Sequence, residues 1–353
     1  MTKFWSEMAK RAEPYVPGEQ INKENIIKLN TNENPYPPSP HVITSITNEV
    51  GNNLRLYPSP TMEGLRTTIA AYYNVTKENV FVGNGSDEVL AFSFMGFFDP
   101  GKTILFPDIT YSFYPVYAQV FDIAYKIIPL QADFTMDVEA FFNSEGGVIF
   151  PNPNAPTSLY LGLDDIEAIV EHNEDNIVVV DEAYIDFATE SAVSLTKKYD
   201  NLLVIQTMSK SRALAGLRIG FAIGNEELIA ALIRMKDSFN SYPVDRLALA
   251  GATTAIQDDD YFQWTTQKII TTRERTRQTL TSLGFHVLPS AANFVFATHE
   301  TMPAKALYEQ LRERDILIRY FGTEPIENYV RISIGTDEEM DMFIEAVTEI
   351  IER

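Results

Sequence analysis

The sequence predicts an α/β protein: a large domain whose mostly parallel sheet is covered by helices, plus a smaller α+β domain. Three observations predict it. The runs at 103–106, 148–150, 177–180, 202–205 and 219–223 are almost wholly apolar, as strands buried on both faces must be. Helical stretches separate them, the alternation that builds a parallel sheet. At 353 residues the chain exceeds one ordinary core, and a strand–helix stretch closes it after a long helical region.

Charge and composition narrow the function. Lys and Arg total 28 against 49 Asp and Glu, a formal charge of −21, which disfavours nucleic acid and anionic membranes. A bound anion therefore needs a local positive pocket. With no cysteine, disulfides, thiolate metal sites and a cysteine nucleophile are excluded. The four histidines (His41, His172, His286, His299) are scattered, and no metal site is expected. The first residues carry no apolar signal core, and no apolar run is long enough for a bilayer, so the expected location is cytoplasmic.

In chain order, residues 1–35 form an N-terminal arm expected to join the small domain, 36–265 the large domain and 266–353 the C-terminal small domain. The arm ends in Asn30-Thr31-Asn32-Glu33-Asn34-Pro35, turn chemistry whose polar side chains could also line a cleft. Tyr57 sits in a Pro-stiffened segment, where composition alone suggests packing. A helix through Leu65 and Ile69 precedes a strand at 80–82, then Gly83-Asn84-Gly85-Ser86-Asp87 opens a helix. That turn presents free N–H groups to an anion, although Ser86 and Asp87 could simply cap the helix. The later strands end in Pro107-Asp108-Ile109-Thr110-Tyr111, in Asn152-Pro153-Asn154-Ala155-Pro156, in Asp181-Glu182-Ala183-Tyr184, and in Thr207-Met208-Ser209-Lys210. A helix is expected at 226–238 and another at 247–283, with Arg273, Arg275 and Arg277 solvated. Strands at 293–297, 316–319 and 329–334 and helices at 304–314 and from 338 complete the small domain.

Polar strand ends in such a sheet converge on one rim, where ligands bind. The rim collects an amine (Lys210), carboxylates (Asp181, Asp87), tyrosines (Tyr184, Tyr111), an anion turn at Ser86, hydroxyls (Thr207, Ser209) and Arg218. Taken alone, Lys210 is a snorkelling surface lysine. Together these groups suit pyridoxal 5′-phosphate. Its aldehyde needs a lysine, its ring nitrogen a buried carboxylate, its phosphate N–H donors and a cation, and its ring an aromatic face.

The motifs carry a family resemblance over essentially the whole chain. They are Pro14-Tyr15-Val16-Pro17-Gly18, Asn32-Glu33-Asn34-Pro35, Arg55-Leu56-Tyr57-Pro58, Gly85-Ser86-Asp87-Glu88, Asp181-Glu182-Ala183-Tyr184, Ser209-Lys210 with Arg218, and Val330-Arg331-Ile332-Ser333-Ile334-Gly335. The sequence resembles the fold-type I pyridoxal-phosphate aminotransferases, and among them the histidinol-phosphate branch. The resemblance implies that Lys210 links to the cofactor and shuttles the proton, while Asp181 pairs with the ring nitrogen. It implies that Tyr184 bonds the ring hydroxyl, Tyr111 stacks on the ring, Ser86, Asp87, Ser209 and Arg218 surround the phosphate, and Thr207 is a further cofactor-binding residue. Tyr57 would reach that phosphate from a second subunit of a homodimer. Arg331, with Arg319, Tyr15 and Tyr242, would bind the substrate. One position departs: Ala155 stands where the family often has a cofactor-contacting Asn. Asn154, one residue early, is the candidate replacement, with Tyr184 able to hold the hydroxyl alone.

The implied reaction is transamination between L-histidinol phosphate and 2-oxoglutarate in histidine biosynthesis. An aromatic amino-acid transaminase, a threonine-phosphate decarboxylase and a non-catalytic ligand-binding regulator are the alternatives.

Overall fold

The computed structural model describes residues 3–14, 19, 21 and 25–352. Its central sheet has seven strands: β2 (Val80–Asn84), β3 (Thr103–Pro107), β4 (Ala124–Ile128), β5 (Val148–Pro151), β6 (Val178–Asp181), β7 (Leu202–Thr207) and β8 (Ile219–Gly224). A two-residue strand in the arm, β1 (Ile27–Lys28), precedes them. The sheet order is β2-β8-β7-β6-β5-β3-β4, with β8 alone antiparallel to its neighbours.

Successive side chains of a strand point to opposite faces, and here they enter two different cores. Val148, Phe150, Val178, Val180, Leu202 and Val204 pack on one face with Leu65, Ile166 and Ala252 from helices Glu63–Tyr73, Leu163–Glu171 and Arg246–Gln257. Ile149, Val179, Leu203 and Ile205 pack on the other with Phe94, Ala118 and Leu232 from helices Gly85–Phe97, Phe113–Phe121 and Glu226–Phe239. Burying each such Val, Ile or Leu contributes about 1.5–3 kcal/mol. The expected doubly covered, mostly parallel sheet is what forms. β4 escaped the sequence reading because it is an edge strand, with Ala124, Lys126 and Ile127 exposed, and so lacks an apolar run.

The second unit contains β9 (Phe285–Val287), β10 (Phe294–His299), β11 (Ile316–Leu317), β12 (Arg319–Tyr320) and β13 (Val330–Ser333). Four of these make an antiparallel sheet, β12-β13-β10-β9, while β1 pairs in parallel with β11 through Ile27 and Ile316. Ile27 and Leu29 share a core with Phe343 and Val347 of helix Asp337–Ile351 and with Leu307 of helix Ala304–Glu313. The arm thus packs with the C-terminal unit.

Two expectations are corrected. The predicted 247–283 helix is two, Arg246–Gln257 and Asp259–Ser282, broken at Asp258. The boundary expected at 265/266 therefore falls inside a helix, whose Ile269 and Leu280 belong to the second unit's core. Arg273 is also not solvated: it is 6% exposed, and its Nη1 donates to the carbonyls of Phe187 (3.1 Å) and Ala292 (3.0 Å). Periodicity in a polar helix does not reveal that a guanidinium has two buried carbonyls to satisfy.

Candidate active site

The carboxyl ends of β2, β3, β5, β6 and β7 bring their loops to one rim. A cavity of about 120 Å³ there is lined by Ser86, Asp87, Tyr111, Asp181, Tyr184, Thr207, Ser209, Lys210 and Arg218, together with Ala155. It opens into a cleft of about 840 Å³ that shares Tyr111, Ala155, Tyr184 and Lys210 with it and continues to Arg319 and Arg331.

One end of this cavity is made by close approach of two segments. Gly85 has φ +79°, a conformation open to glycine, and begins helix Gly85–Phe97. A Cβ on Gly220 would stand 2.2 Å from the Ser86 nitrogen, and one on Gly85 would stand 2.4 Å from Arg218 Nη2. Glycine at both positions lets β8 and the helix N-terminus come together. Arg218 Nη2 pairs with Asp87 Oδ2 at 2.8 Å, and Tyr111 donates to Asp87 Oδ1 at 2.7 Å. Asp87 thus holds the arginine and the tyrosine rather than capping the helix. Thr207 Oγ1 donates to Ser209 Oγ at 3.0 Å and accepts from the Ser209 nitrogen at 3.2 Å, a tight turn just before Lys210.

At the other end Asp181 is buried. Its Oδ2 accepts from the Tyr114 hydroxyl at 3.1 Å and its Oδ1 from the Ala183 nitrogen at 3.3 Å. Burial pushes its carboxyl up to about 7, against the pull of those two donors. Among the described residues no cation pairs with this carboxylate, and a protonated ring nitrogen would supply one. Burial, with the Asp87 charge beside it, pushes the Tyr111 phenol well above its ordinary range, so it stays a neutral donor. The donor set and the glycine-made space fit a phosphorylated pyridine aldehyde.

Lys210 Nζ donates to the Thr31 carbonyl at 3.2 Å and lies 5.7 Å from the Tyr184 ring centre. Three arm contacts meet here: Thr31 on the lysine, Asn32 Nδ2 donating to Tyr184 Oη at 2.9 Å, and Asn34 Nδ2 donating to the Lys210 carbonyl at 2.9 Å. The opposite wall belongs to the second unit. Arg319 and Arg331 sit directly across from each other on β12 and β13, so both guanidiniums project from one face. Arg331 Nη2 donates to the Asn30 carbonyl at 3.1 Å, and both arginines lie near the Phe321 ring, at 5.5 and 5.6 Å. Two cations beside an amine form the positive pocket that the acidic chain required.

Some expected residues lie elsewhere. Asn154 does not line the cavity: its Nδ2 donates to the Ile109 carbonyl (3.0 Å) and Thr157 Oγ1 (2.8 Å), and it borders a separate cavity of about 190 Å³. A one-residue shift in an extended segment turns the side chain over, and Ala155 takes the inner place. Tyr242 is not in the cleft either; its ring stacks on Tyr57 at 4.6 Å, on the surface. Tyr57 is 78% exposed and is not among the residues that line this chain's own cavity. Tyr15 lies outside the described residues. The sequence reading missed Asn32 and Tyr114. Asn32 lay in a motif already noted, whereas Tyr114, on an apolar helix face, gave no signal beyond core packing. Among the described residues no cluster could hold a metal ion, and no helix is long and apolar enough to cross a membrane.

This geometry agrees with what the chain is similar to. A family model described as aminotransferase class I and II matches residues 24–347. The chain belongs to that family and has its fold-type I architecture. Within it the chain belongs with the histidinol-phosphate aminotransferases. It is 58% identical over 351 residues to histidinol-phosphate aminotransferase 1 of Oceanobacillus iheyensis, covering 99% of each chain. It is 56% identical over 351 residues to histidinol-phosphate aminotransferase of Clostridium acetobutylicum, covering 99% of this chain and 100% of that one. The solved structure of histidinol-phosphate aminotransferase from Sinorhizobium meliloti in complex with pyridoxal 5′-phosphate has the same fold. Its TM-score is 0.90 at 24% identity, with 100% of this chain and 98% of that one covered.

Proposed function

We infer that the chain is a pyridoxal-phosphate-dependent transaminase that interconverts L-histidinol phosphate and 2-oxoglutarate with imidazole acetol phosphate and L-glutamate, in histidine biosynthesis. The observation that carries this reading is the pairing of Arg319 with Arg331 across the cleft from Lys210. Both amino substrates bear an anion a few bonds from the reacting amine, and planar guanidiniums suit phosphate and carboxylate alike. The names of relatives at 56–58% identity support the choice of substrate.

Pyridoxal 5′-phosphate, when bound, supplies an aldehyde for the amine and a ring that accepts electron density from the α-carbon. The residues do the rest. Lys210 Nζ would hold the aldehyde between turnovers and then carry the proton removed from the substrate α-carbon. Asp181 keeps a proton on the ring nitrogen, and Tyr114 keeps Asp181 in place. Tyr184, oriented by Asn32, serves the ring hydroxyl. Tyr111 would offer the ring an aromatic face, and Ser86, Thr207, Ser209 and Arg218 would hold the phosphate. Arg331 and Arg319 orient the substrate's anion so that its amine meets Lys210.

The surface pair Tyr57 and Tyr242, beside exposed Leu54 and Leu56, supports assembly with a second copy, into which Tyr57 would project. We therefore infer a homodimer and, for an enzyme of amino-acid biosynthesis, one that works in the cytoplasm. The deciding measurement is kcat/KM for histidinol phosphate against phenylalanine and tyrosine, with 2-oxoglutarate as acceptor. A clear preference for histidinol phosphate is expected. Phenylalanine outrunning it would transfer the reading to an aromatic transaminase.

A further inference from the structure

We propose that Gln119 recognises the imidazole N–H of the substrate, so that the wall formed by helix Phe113–Phe121 selects the heterocycle; this rests on the reaction proposed above. A substrate whose amine reacts at Lys210 carries its anion and its side chain on the same carbon. Arg319 and Arg331 claim the anion, and a ring that can itself become cationic is repelled from them. The side chain must therefore turn to a wall without cations.

Helix Phe113–Phe121 supplies that wall. Pro115, Val116 and Gln119 all line the cleft, at the i, i+1, i+4 spacing that shares one helix face. Pro115 and Val116 offer apolar flanks to a flat ring. Gln119 adds an amide whose Oε1 is closed off from water and has no hydrogen-bond partner among the described residues. Buried acceptors are seldom left so unless a ligand brings the donor. Thr110 Oγ1, in the loop that leads into this helix and also lining the cleft, is in the same condition and can take the second ring nitrogen. Asn30 Oδ1 is a third such atom, but its residue is held against Arg331 and belongs to the anion side.

An amide acceptor separates imidazole from phenyl. A phenyl ring has no N–H and leaves Oε1 unpaired, so phenylalanine is disfavoured by the same group that binds the true ring. Glutamate has no ring, and its second carboxylate has Arg319 to meet.

The test uses the holoenzyme and the two half-reactions separately, followed by cofactor absorbance in single turnovers. Gln119→Leu should lower kcat/KM for histidinol phosphate by about 10- to 100-fold, the effect of one lost hydrogen bond in a dry site. The glutamate half-reaction should stay within about twofold on the same reasoning. Gln119→Glu keeps an acceptor and should restore most of the loss, which a merely structural role would not allow. Equal losses in both half-reactions, or an unchanged histidinol phosphate reaction in Gln119→Leu, overturns the assignment while leaving the reaction itself intact. Wild-type enzyme inert towards histidinol phosphate overturns both.

Discussion

The floor of the cleft and its anion-binding wall are built on different scales. The floor takes Asp181, Thr207, Ser209 and Lys210 from the ends of adjacent parallel strands whose remaining residues are wholly buried. The wall is assembled from two-residue and four-residue strands and from the arm, across bonds between residues 301 apart. Asn32 N donates to Ser333 Oγ at 2.8 Å, and that hydroxyl donates to Asn32 Oδ1 at 3.0 Å. Asn293 Nδ2 adds a bond to the Asn32 carbonyl at 3.0 Å. The difference assigns the work. On the proposed reaction, chemistry common to every amino substrate falls to the rigid sheet, and recognition of the substrate's anion falls to the place where the arm and the second unit meet.

If that division holds, floor substitutions should lower kcat for any donor, and wall substitutions should lower kcat/KM according to the substrate's anion. Lys210→Ala should have the largest effect, abolishing turnover and leaving no cofactor that borohydride can trap on the protein. Comparable turnover in that variant would remove Lys210 from the centre of the account.

Asp181→Asn should come next, with kcat down by about two to three orders of magnitude for histidinol phosphate and glutamate alike. The same change should have an opposite effect on the cofactor-free protein's stability. The folded-state pKa of Asp181 is raised to about 7 from 3.8. Its contribution to stability is therefore fully present below about pH 4 and is lost as pH rises through about 7. Cofactor-free Asp181→Asn should thus be more stable than cofactor-free wild type at pH 8, by up to a few kcal/mol, and show a clearly smaller advantage at pH 5. A gap of equal size at both pH values would mean that the buried carboxylate is not what titrates.

Arg331→Lys keeps the charge and loses the fork. We expect kcat/KM to fall by about 10- to 100-fold in both half-reactions, mostly through KM. A fall in kcat as large as that of Asp181→Asn would erase the distinction between floor and wall.

The smallest effect is expected at their junction. Asn32→Ala removes the donor to Tyr184 and the acceptor of the Ser333 hydroxyl, and should lower kcat/KM by about 3- to 10-fold, near the net value of one or two neutral hydrogen bonds. Tyr184→Phe in the same background should then add little, since the two side chains act on one hydroxyl. Full additivity of the two changes would show that Asn32 works through Ser333 alone.

By itself the sequence determined the sheet, its rim and most of the floor. Lys210 and Asp181 each follow an apolar run, and a buried strand sends the residues just past its end to a predictable edge. Gly85 and Arg218 were legible for the same local reason, because a glycine turn into a helix is written in consecutive residues. Only the tertiary structure decided which face Asn154 shows, that Tyr242 stacks on Tyr57 outside the cleft, and that Arg273 is buried. It also decided that Arg319 and Arg331 stand opposite each other and that Asn32 and Tyr114 orient the site. These depend on register and packing between segments far apart in sequence. Side-chain periodicity tells which side of its own element a residue faces, but not what stands on that side.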